Sequence, residues 1–354
     1  MFGISVFLNI DQHQSNLKYI KEMRSIGAKG VFTSLHIPEE DVENYARLLG
    51  DIGKLCRELQ LQLTVDISAR SLEKIGFSMD RVDQLVGLGV TCLRPDFGIN
   101  NQIIAKLTHH IDIALNASTI DYEDIIELKN RGANFQRLEA CHNYYPRPET
   151  GLSQQFFDLK NKFLRSMGLR IMAFIPGDKQ MRGPIFESLP TLEMHRRSNP
   201  FQAFLDLQQT YHIDKIYLAD PGISPDSKHQ FDKYLMDKVV PLRAYKTAVD
   251  LPLIGKKHTN RMDPGSFAIR SQESRLDLKD VTVEAQAIKE RKKGAITLDN
   301  YMYQRYQGEL QIIVKTLPAD KRVNVIGQIV EQDLALLDLI GPGQGFEIEW
   351  EGGR

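Results

Sequence analysis

Gly3–Leu35 reads GISVFLNIDQHQSNLKYIKEMRSIGAKGVFTSL. Gly3–Asn9 (GISVFLN) is an apolar run of strand length, and Gln12–Ile26 is an amphipathic helix ending at Gly27, a residue suited to a left-handed C-cap. Gly30–Leu35 (GVFTSL) is again a strand. A strand, a helix and a second strand in so short a span are the sequence form of a parallel pair joined by a crossover helix.

The unit then repeats. Asp41–Leu59 carries Val42, Tyr45, Ala46, Leu48, Leu49, Ile52 and Leu55 on one helical face and leads to a third strand, Leu61–Ser68. Short helices around Ser71–Ile75 and Met79–Leu88 precede the strand Thr91–Phe97. Asn101–Leu107 precedes Ile111–Ala117, Asp121–Arg131 precedes Asn134–Cys141, and Ser153–Met167 precedes Leu169–Ile175. After a long insertion, Pro176–Asn199, the helix Pro200–Thr210 leads to Lys215–Ala219, and Asp226–Val239 is the last helix. Eight alternating strands and helical stretches predict an α/β fold, a (β/α)₈ TIM barrel, over residues 1–240. An open doubly wound sheet would show a glycine-rich phosphate turn after an early strand, and none is present.

The helical rhythm ends at Pro241. Residues 241–255 read as a linker and 256–354 as a small β-rich barrel. Its strands are expected at Phe267–Arg270, Val281–Ala287, Gly294–Leu298, Leu310–Lys315, Val323–Ile329 and Gly345–Trp350, with a short helix at Glu331–Leu339.

The totals narrow the class. The chain has 354 residues, 26% charged and 42% hydrophobic, with a net charge of −1. That balance offers no general surface for nucleic acid or membrane. Cys56, Cys92 and Cys141 are too far apart for a disulfide framework or a metal-ligand spacing, so they read as buried thiols in a cytoplasmic protein. The N-terminal stretch lacks a basic leader and reads as the first strand, and no apolar run has the length of a spanning helix. Nothing in the sequence decides between monomer and homo-oligomer.

Barrel enzymes carry their chemistry at the C-terminal ends of the strands. Those ends hold Asn9, then Ser34 and His36, Asp66 and Ser68, Arg94 and Asp96, and Asn116 and Ser118. Glu139, His142 and Asn143 follow on strand six, and Asp220 ends strand eight. Four carboxylates, Asp66, Asp96, Glu139 and Asp220, therefore fall at one expected rim. Gathered acids suit a general acid/base pair, or a divalent metal with His36 and His142 beside them. Asp96 and Glu139, on strands separated by one strand, could flank a scissile bond as the two acids of a glycosidase do. Each acid could instead cap a helix or pair with a base, Asp220 above all, since it stands before Pro221-Gly222.

Three further clusters are polar. The loop Gln136–Gly151 (QRLEACHNYYPRPETG) adds Tyr144 and Arg147, stiffened by Pro146 and Pro148. The insertion after strand seven brings Lys179, Arg182 and Arg196 to the corner where this fold holds phosphates. The last region carries Arg261 and Arg270, which could serve an anion or simply face water.

Residues 1–9 (MFGISVFLN), 93–98 (LRPDFG), 138–153 (LEACHNYYPRPETGLS), 182–196 (RGPIFESLPTLEMHR) and 216–224 (IYLADPGIS) together resemble the bacterial 6-phospho-N-acetylmuramidases. The resemblance spans essentially the whole chain and implies a C-terminal domain like cyclophilin. It implies an exo-acting cytoplasmic glycoside hydrolase of peptidoglycan recycling, without a cofactor. Such an enzyme cleaves N-acetylmuramic acid 6-phosphate from β-1,4-linked N-acetylglucosamine. The implied substrate is a phosphorylated disaccharide bearing a phosphate and a carboxylate, in keeping with the basic clusters. The strand-end positions, not the resemblance, supply the roles: Glu139 is expected as the general acid and Asp96 as the nucleophile or base, or the reverse, with Asp66 and Asp220 in reserve. Arg94 and Asn116 orient the sugar. A sugar-phosphate lyase or isomerase and a non-catalytic sugar-phosphate binder are the rival expectations.

Overall fold

The computed structural model describes residues 1–35, 44–74, 81–96, 98–247 and 253–351. His36 lies outside the described residues, as do Asp41 and Val42 of the second expected helix, Ile75, Met79, Asp80 and Phe97. The chain divides into two compact units, Met1–Lys228 and His229–Arg354.

In the first unit eight parallel strands close on themselves: β1 (Phe2–Ser5), β2 (Gly30–Ser34), β3 (Gln62–Ile67), β4 (Cys92–Pro95), β5 (Asp112–Asn116), β6 (Leu138–Cys141), β7 (Arg170–Ile175) and β8 (Lys215–Leu218). The last contact, β8 against β1, pairs Gly3 with Tyr217 and removes both sheet edges. The barrel is filled rather than hollow. Phe7, Phe32, Cys92, Cys141, Met172, Phe174 and Tyr217 form one buried cluster. Gly3 and Gly30 are glycines because any side chain there would collide with the Tyr217 phenol. Helices α1 (His13–Ser25), α2 (Tyr45–Glu58), α3 (Ala69–Lys74), α4 (Val82–Gly87), α5 (Asn101–Leu107), α6 (Tyr122–Asn130) and α7 (Gln154–Ser166) follow the first six strands in turn, and α1, α2 and α7 turn apolar faces inward. On α2 that face buries Leu48, Leu49, Ile52 and Leu55, as the sequence spacing requires. Ser153, at the N-cap of α7, accepts from the Phe156 N–H.

The second unit is one seven-stranded sheet in the order β10-β15-β9-β14-β12-β13-β11. The strands are β9 (Val239–Lys246), β10 (Lys257–Thr259), β11 (Ala268–Arg270), β12 (Ala295–Asp299), β13 (Leu310–Ile313), β14 (Val323–Ile329) and β15 (Gly345–Trp350). A bridge between Asn260 and Ser271 links the two edge strands just beyond their ends, so the sheet is nearly closed.

Two expectations for this unit are corrected. Residues 241–246 belong to β9, an interior strand, and not to a linker. Pro241 is accommodated because β14 pairs only with Ala244–Lys246, leaving that flank of Pro241 without a ladder. Val281–Ala287 is not a strand. Side-chain amides hold it instead: Gln307 bonds Val281 and Val283, and Asn324 bonds Glu284 and Gln286. The expected short helix is a 3-10 helix, Glu331–Leu339.

Candidate active site

Asp66 stands near the end of β3, opposite Arg94 in the register of β4. Both are buried, Asp66 at 8% exposure and Arg94 at 4%. Asp66 Oδ1 accepts from Arg94 Nη1 at 2.7 Å, and Oδ2 accepts from Ser34 Oγ at 3.1 Å. The other arm of Arg94, Nη2, donates to Asn143 Oδ1. Burial alone would lower the Arg94 pKa, but the Asp66 carboxylate outweighs it and holds the guanidinium above its ordinary value. Three strand ends, β3, β4 and β6, are thereby tied by one planar fork.

Asp96 lies two residues past Arg94. Its N–H donates to Ile67 O, while its carboxylate is exposed and has no partner among the described residues. Asp66, Arg94, Asp96, Asn143 and Tyr144 line one cavity of ≈ 150 Å³, walled by Phe32 and Phe174. Tyr144 meets both phenylalanine rings edge-on. Its hydroxyl accepts from Arg182 Nη1 at 2.8 Å, and the Arg182 guanidinium lies 3.6 Å above the centre of the Phe7 ring. Burial raises the Tyr144 pKa, with Arg182 opposing.

The other expected site residues are placed elsewhere. Glu139 is the second residue of β6 and sits low in the barrel, with its carboxylate 2.6 Å from Lys215 Nζ and 3.6 Å from Arg170 Nη2. Lys215 and Arg170 are the first residues of β8 and β7, at the end of the barrel opposite the mouth. Glu139 is thus a buried structural ion pair rather than an acid of the rim. Asp220 is fully buried and accepts from the N–H groups of Gly177, Arg182 and Leu189 and from Ser188 Oγ. It knots the insertion after β7 and leaves no oxygen for substrate.

Arg196 is also occupied: it grips Glu193 and the carbonyls of Arg147, Glu187 and Ser188. That grip holds the Glu193 carboxyl well below its usual range. Asn9 accepts from the N–H groups of Asp11 and Gln12, and Asn116 from that of Ser118, so both are turn residues. His142 also lines the cavity of Asp66 and Asp96, but its buried ring meets Asn161 Oδ1 of α7 at 2.7 Å, and burial pushes its pKa down to about 4. Arg147 is exposed. Lys179 lines a separate cavity of ≈ 190 Å³ against α1, with Gln12, Tyr19 and Lys228. In the second unit Arg261 pairs with Asp263, and Arg270 pairs with Glu309 through two bonds of 2.6 and 3.1 Å. Among the described residues no group of three or more His, Cys, Asp or Glu is placed to hold a metal ion.

Phe7, Phe32 and Phe174 were absent from the expected site. The signal was available for two of them: Phe32 stands two residues before Ser34 at its strand end, and Phe174 keeps the inward phase of β7 with Met172. The three cysteines are free and buried.

Fold and mouth together define a two-unit (β/α)₈ protein whose strand ends present a guanidinium-clamped carboxylate beside a free one. Family models for the N-terminal and C-terminal parts of 6-phospho-N-acetylmuramidase match residues 2–233 and 240–349, and the chain belongs to that family. It is similar to a solved conserved protein of unknown function from a locus in Enterococcus faecalis. The two are 42% identical, with 99% of this chain and 97% of that one covered and a TM-score of 0.91. An uncharacterized B. cereus protein is 25% identical, with coverage of 98% and 99% and a TM-score of 0.79. No curated protein matches the chain. No helix among the described residues is long and apolar enough to cross a membrane.

Proposed function

We propose that the barrel is an exo-acting glycoside hydrolase that releases N-acetylmuramic acid 6-phosphate from a β-1,4-linked N-acetylglucosamine, in the cytoplasm, as a step of peptidoglycan recycling. Family membership supports the substrate class. The observation that carries the chemistry is the joint lining of one cavity by Asp66, Arg94 and Asp96.

A glycosidase needs two carboxyl groups flanking the bond, one to protonate the leaving oxygen and one to attack or to activate water. Asp96, without a partner, is assigned the proton transfer. Asp66, fixed by Arg94 and Ser34, is assigned the opposite face of the ring. Two residues of strand rise and one strand spacing put their Cα atoms about 8 Å apart, a separation from which carboxyl groups can flank a glycosidic bond. Tyr144, Phe32 and Phe174 offer aromatic surface to the sugar. Arg182, fixed on Phe7 and Tyr144, retains N–H donors for the phosphate.

The test is incubation with the phosphorylated and the unphosphorylated disaccharide, with chromatographic detection of both monosaccharides. Release of N-acetylglucosamine from the phosphorylated compound alone is the expected result. Binding without release would make the protein a sugar-phosphate binder, and an isomerised or unsaturated product would make it an isomerase or lyase.

A further inference from the structure

A cavity of ≈ 510 Å³ lies on the second unit, lined by Arg261, Arg275, Lys279, Arg305 and three glutamines, with no carboxylate in its lining. Four cations on a surface are usually a solvated face, so the state of each matters. Arg261 is committed to Asp263, and Lys279 reaches Asp280 only at 4.0 Å. Arg275 and Arg305 have no carboxylate partner among the described residues.

Both are nonetheless held in place. Arg275 Nη2 donates to the backbone oxygen of Arg305 at 2.5 Å, and Arg305 Nη2 donates to the Tyr306 hydroxyl at 2.8 Å. Their guanidinium carbons lie 5.3 and 4.9 Å from the centre of the same Tyr306 ring. Two like charges are thus held around one tyrosine in the lining of one cavity, with most of their N–H donors unspent and open to an anion. Next to them Gln304 adopts φ 53°, ψ −118°, a strained backbone for a non-glycine residue. Such strain persists where surrounding structure imposes it, and it concentrates at ligand clamps.

We propose that this cavity binds a phosphomonoester of a small polyhydroxylated molecule. Arg275 and Arg305 take the phosphate, whose three oxygens match two guanidinium forks better than a planar carboxylate does. The side-chain amides of Gln272 and Gln304, each both donor and acceptor, take the hydroxyl groups. Leu276, 70% exposed, gives the carbon skeleton an apolar contact. The site is complete within the second unit and does not depend on what the barrel catalyses.

The experiment is calorimetric titration of the full chain carrying Arg182→Gln, which weakens anion capture at the barrel mouth. Glucose 6-phosphate, inorganic phosphate and glucose are the probes. Glucose 6-phosphate is expected to bind one-to-one and more tightly than inorganic phosphate, less tightly as salt is raised, and glucose is expected not to bind. Adding Arg275→Gln and Arg305→Gln should weaken glucose 6-phosphate about tenfold or more. Should that variant unfold, Arg275→Lys alone keeps the charge, loses the fork and should give an intermediate affinity. Unchanged affinity in the arginine variants overturns the proposal, as does glucose or inorganic phosphate binding as tightly as glucose 6-phosphate.

Discussion

Arg94 and Asp66 occupy matched register positions on neighbouring strands and meet at 2.7 Å inside the upper end of the barrel. Arg94 is thereby spent on a carboxylate and on Asn143, and it cannot also bind a substrate anion face-on. Its work is to fix Asp66 and the β6 loop. Arg94→Leu leaves Asp66 as a buried charge without its partner, a loss of about 3–5 kcal/mol for a broken buried pair. Chemical denaturation measures it. A change under about 1 kcal/mol would mean that water reaches Asp66 and replaces the arginine.

Asp96 makes a sharper test of the proposed chemistry. Its carboxylate makes no hydrogen bond or ion pair among the described residues and only adds to the negative charge near Arg94, so Asp96→Asn should leave the unfolding midpoint nearly unchanged. Loss of a general acid or base lowers turnover by about 10²–10⁴. Steady-state release of N-acetylglucosamine measures both substitutions, Asp96→Asn and Asp66→Asn. A near-normal rate in the Asp96 variant would remove that residue from the mechanism.

Glu139→Gln should do the reverse. The substitution leaves Lys215, 5% exposed, without its carboxylate, and about 3–5 kcal/mol of stability should go. Turnover per folded molecule should be unchanged. Lost turnover with an intact melting curve would return Glu139 to the chemistry.

Glu139 also shows where the sequence stops being legible. Alternation of strands and helices is local, so the barrel could be read from β1 to β8 with boundaries off by a few residues. Strand phase is also local: Arg94 is two residues from Cys92 and Glu139 two from Cys141, both of which lie in the barrel core. Height along the barrel axis is not local. It depends on the stagger of each strand against its neighbours, which only the closed sheet fixes. Glu139 pairs in register with Arg170, the first residue of β7, and so lies low, while Asp66, deeper into its own strand, lies high. Asp220 and Arg196 were misplaced for a related reason. Many of their partners are backbone N–H groups and carbonyls that folding brings together, which no residue type announces; for Asp220 the following Pro221-Gly222 did signal the turn role that the structure gives it. Pro241 misled because a proline in an interior strand is tolerated only where the neighbouring ladder is short, a fact about β14 rather than about Pro241.

Arg182 separates binding from chemistry. It is stacked on Phe7, and among the described residues its side chain bonds only to Tyr144. A charge-assisted contact to the substrate phosphate contributes about 1.5–3 kcal/mol. Arg182→Gln should therefore raise KM for the phosphorylated disaccharide about tenfold or more and leave kcat near normal. A drop in kcat at constant KM would place Arg182 in the transition state instead.

The two units should respond to acid in opposite directions. In the barrel, burial holds His142 at about 4 against 6.5 for a free imidazole. Above pH 6.5 the ring is neutral folded or unfolded, and nothing changes. Between 6.5 and 4 only the unfolded chain takes the proton, so barrel stability falls as pH drops, by roughly 3 kcal/mol in all. In the second unit, burial and then Glu309 raise Asp299 to about 7 from 3.8. Between those values only the unfolded chain loses the proton, so this unit loses stability as pH rises from 3.8 to 7, on the order of 4 kcal/mol at most. The Glu309 carboxylate, paired with Arg270 at 2.6 Å, is the charge that opposes ionisation of Asp299. Hydrogen exchange read peptide by peptide reports the two units separately. With the intrinsic pH dependence of amide exchange divided out, acidification from pH 7 to 5 should lower protection in the barrel strands and raise it in β12 and β13. Asp299→Asn needs no proton to stay neutral. It should make the second unit more stable than the parent at pH 8 and flatten its response between 4 and 7. Parallel slopes in the parent and the Asp299 variant would show that Asp299 is ionised in the folded chain.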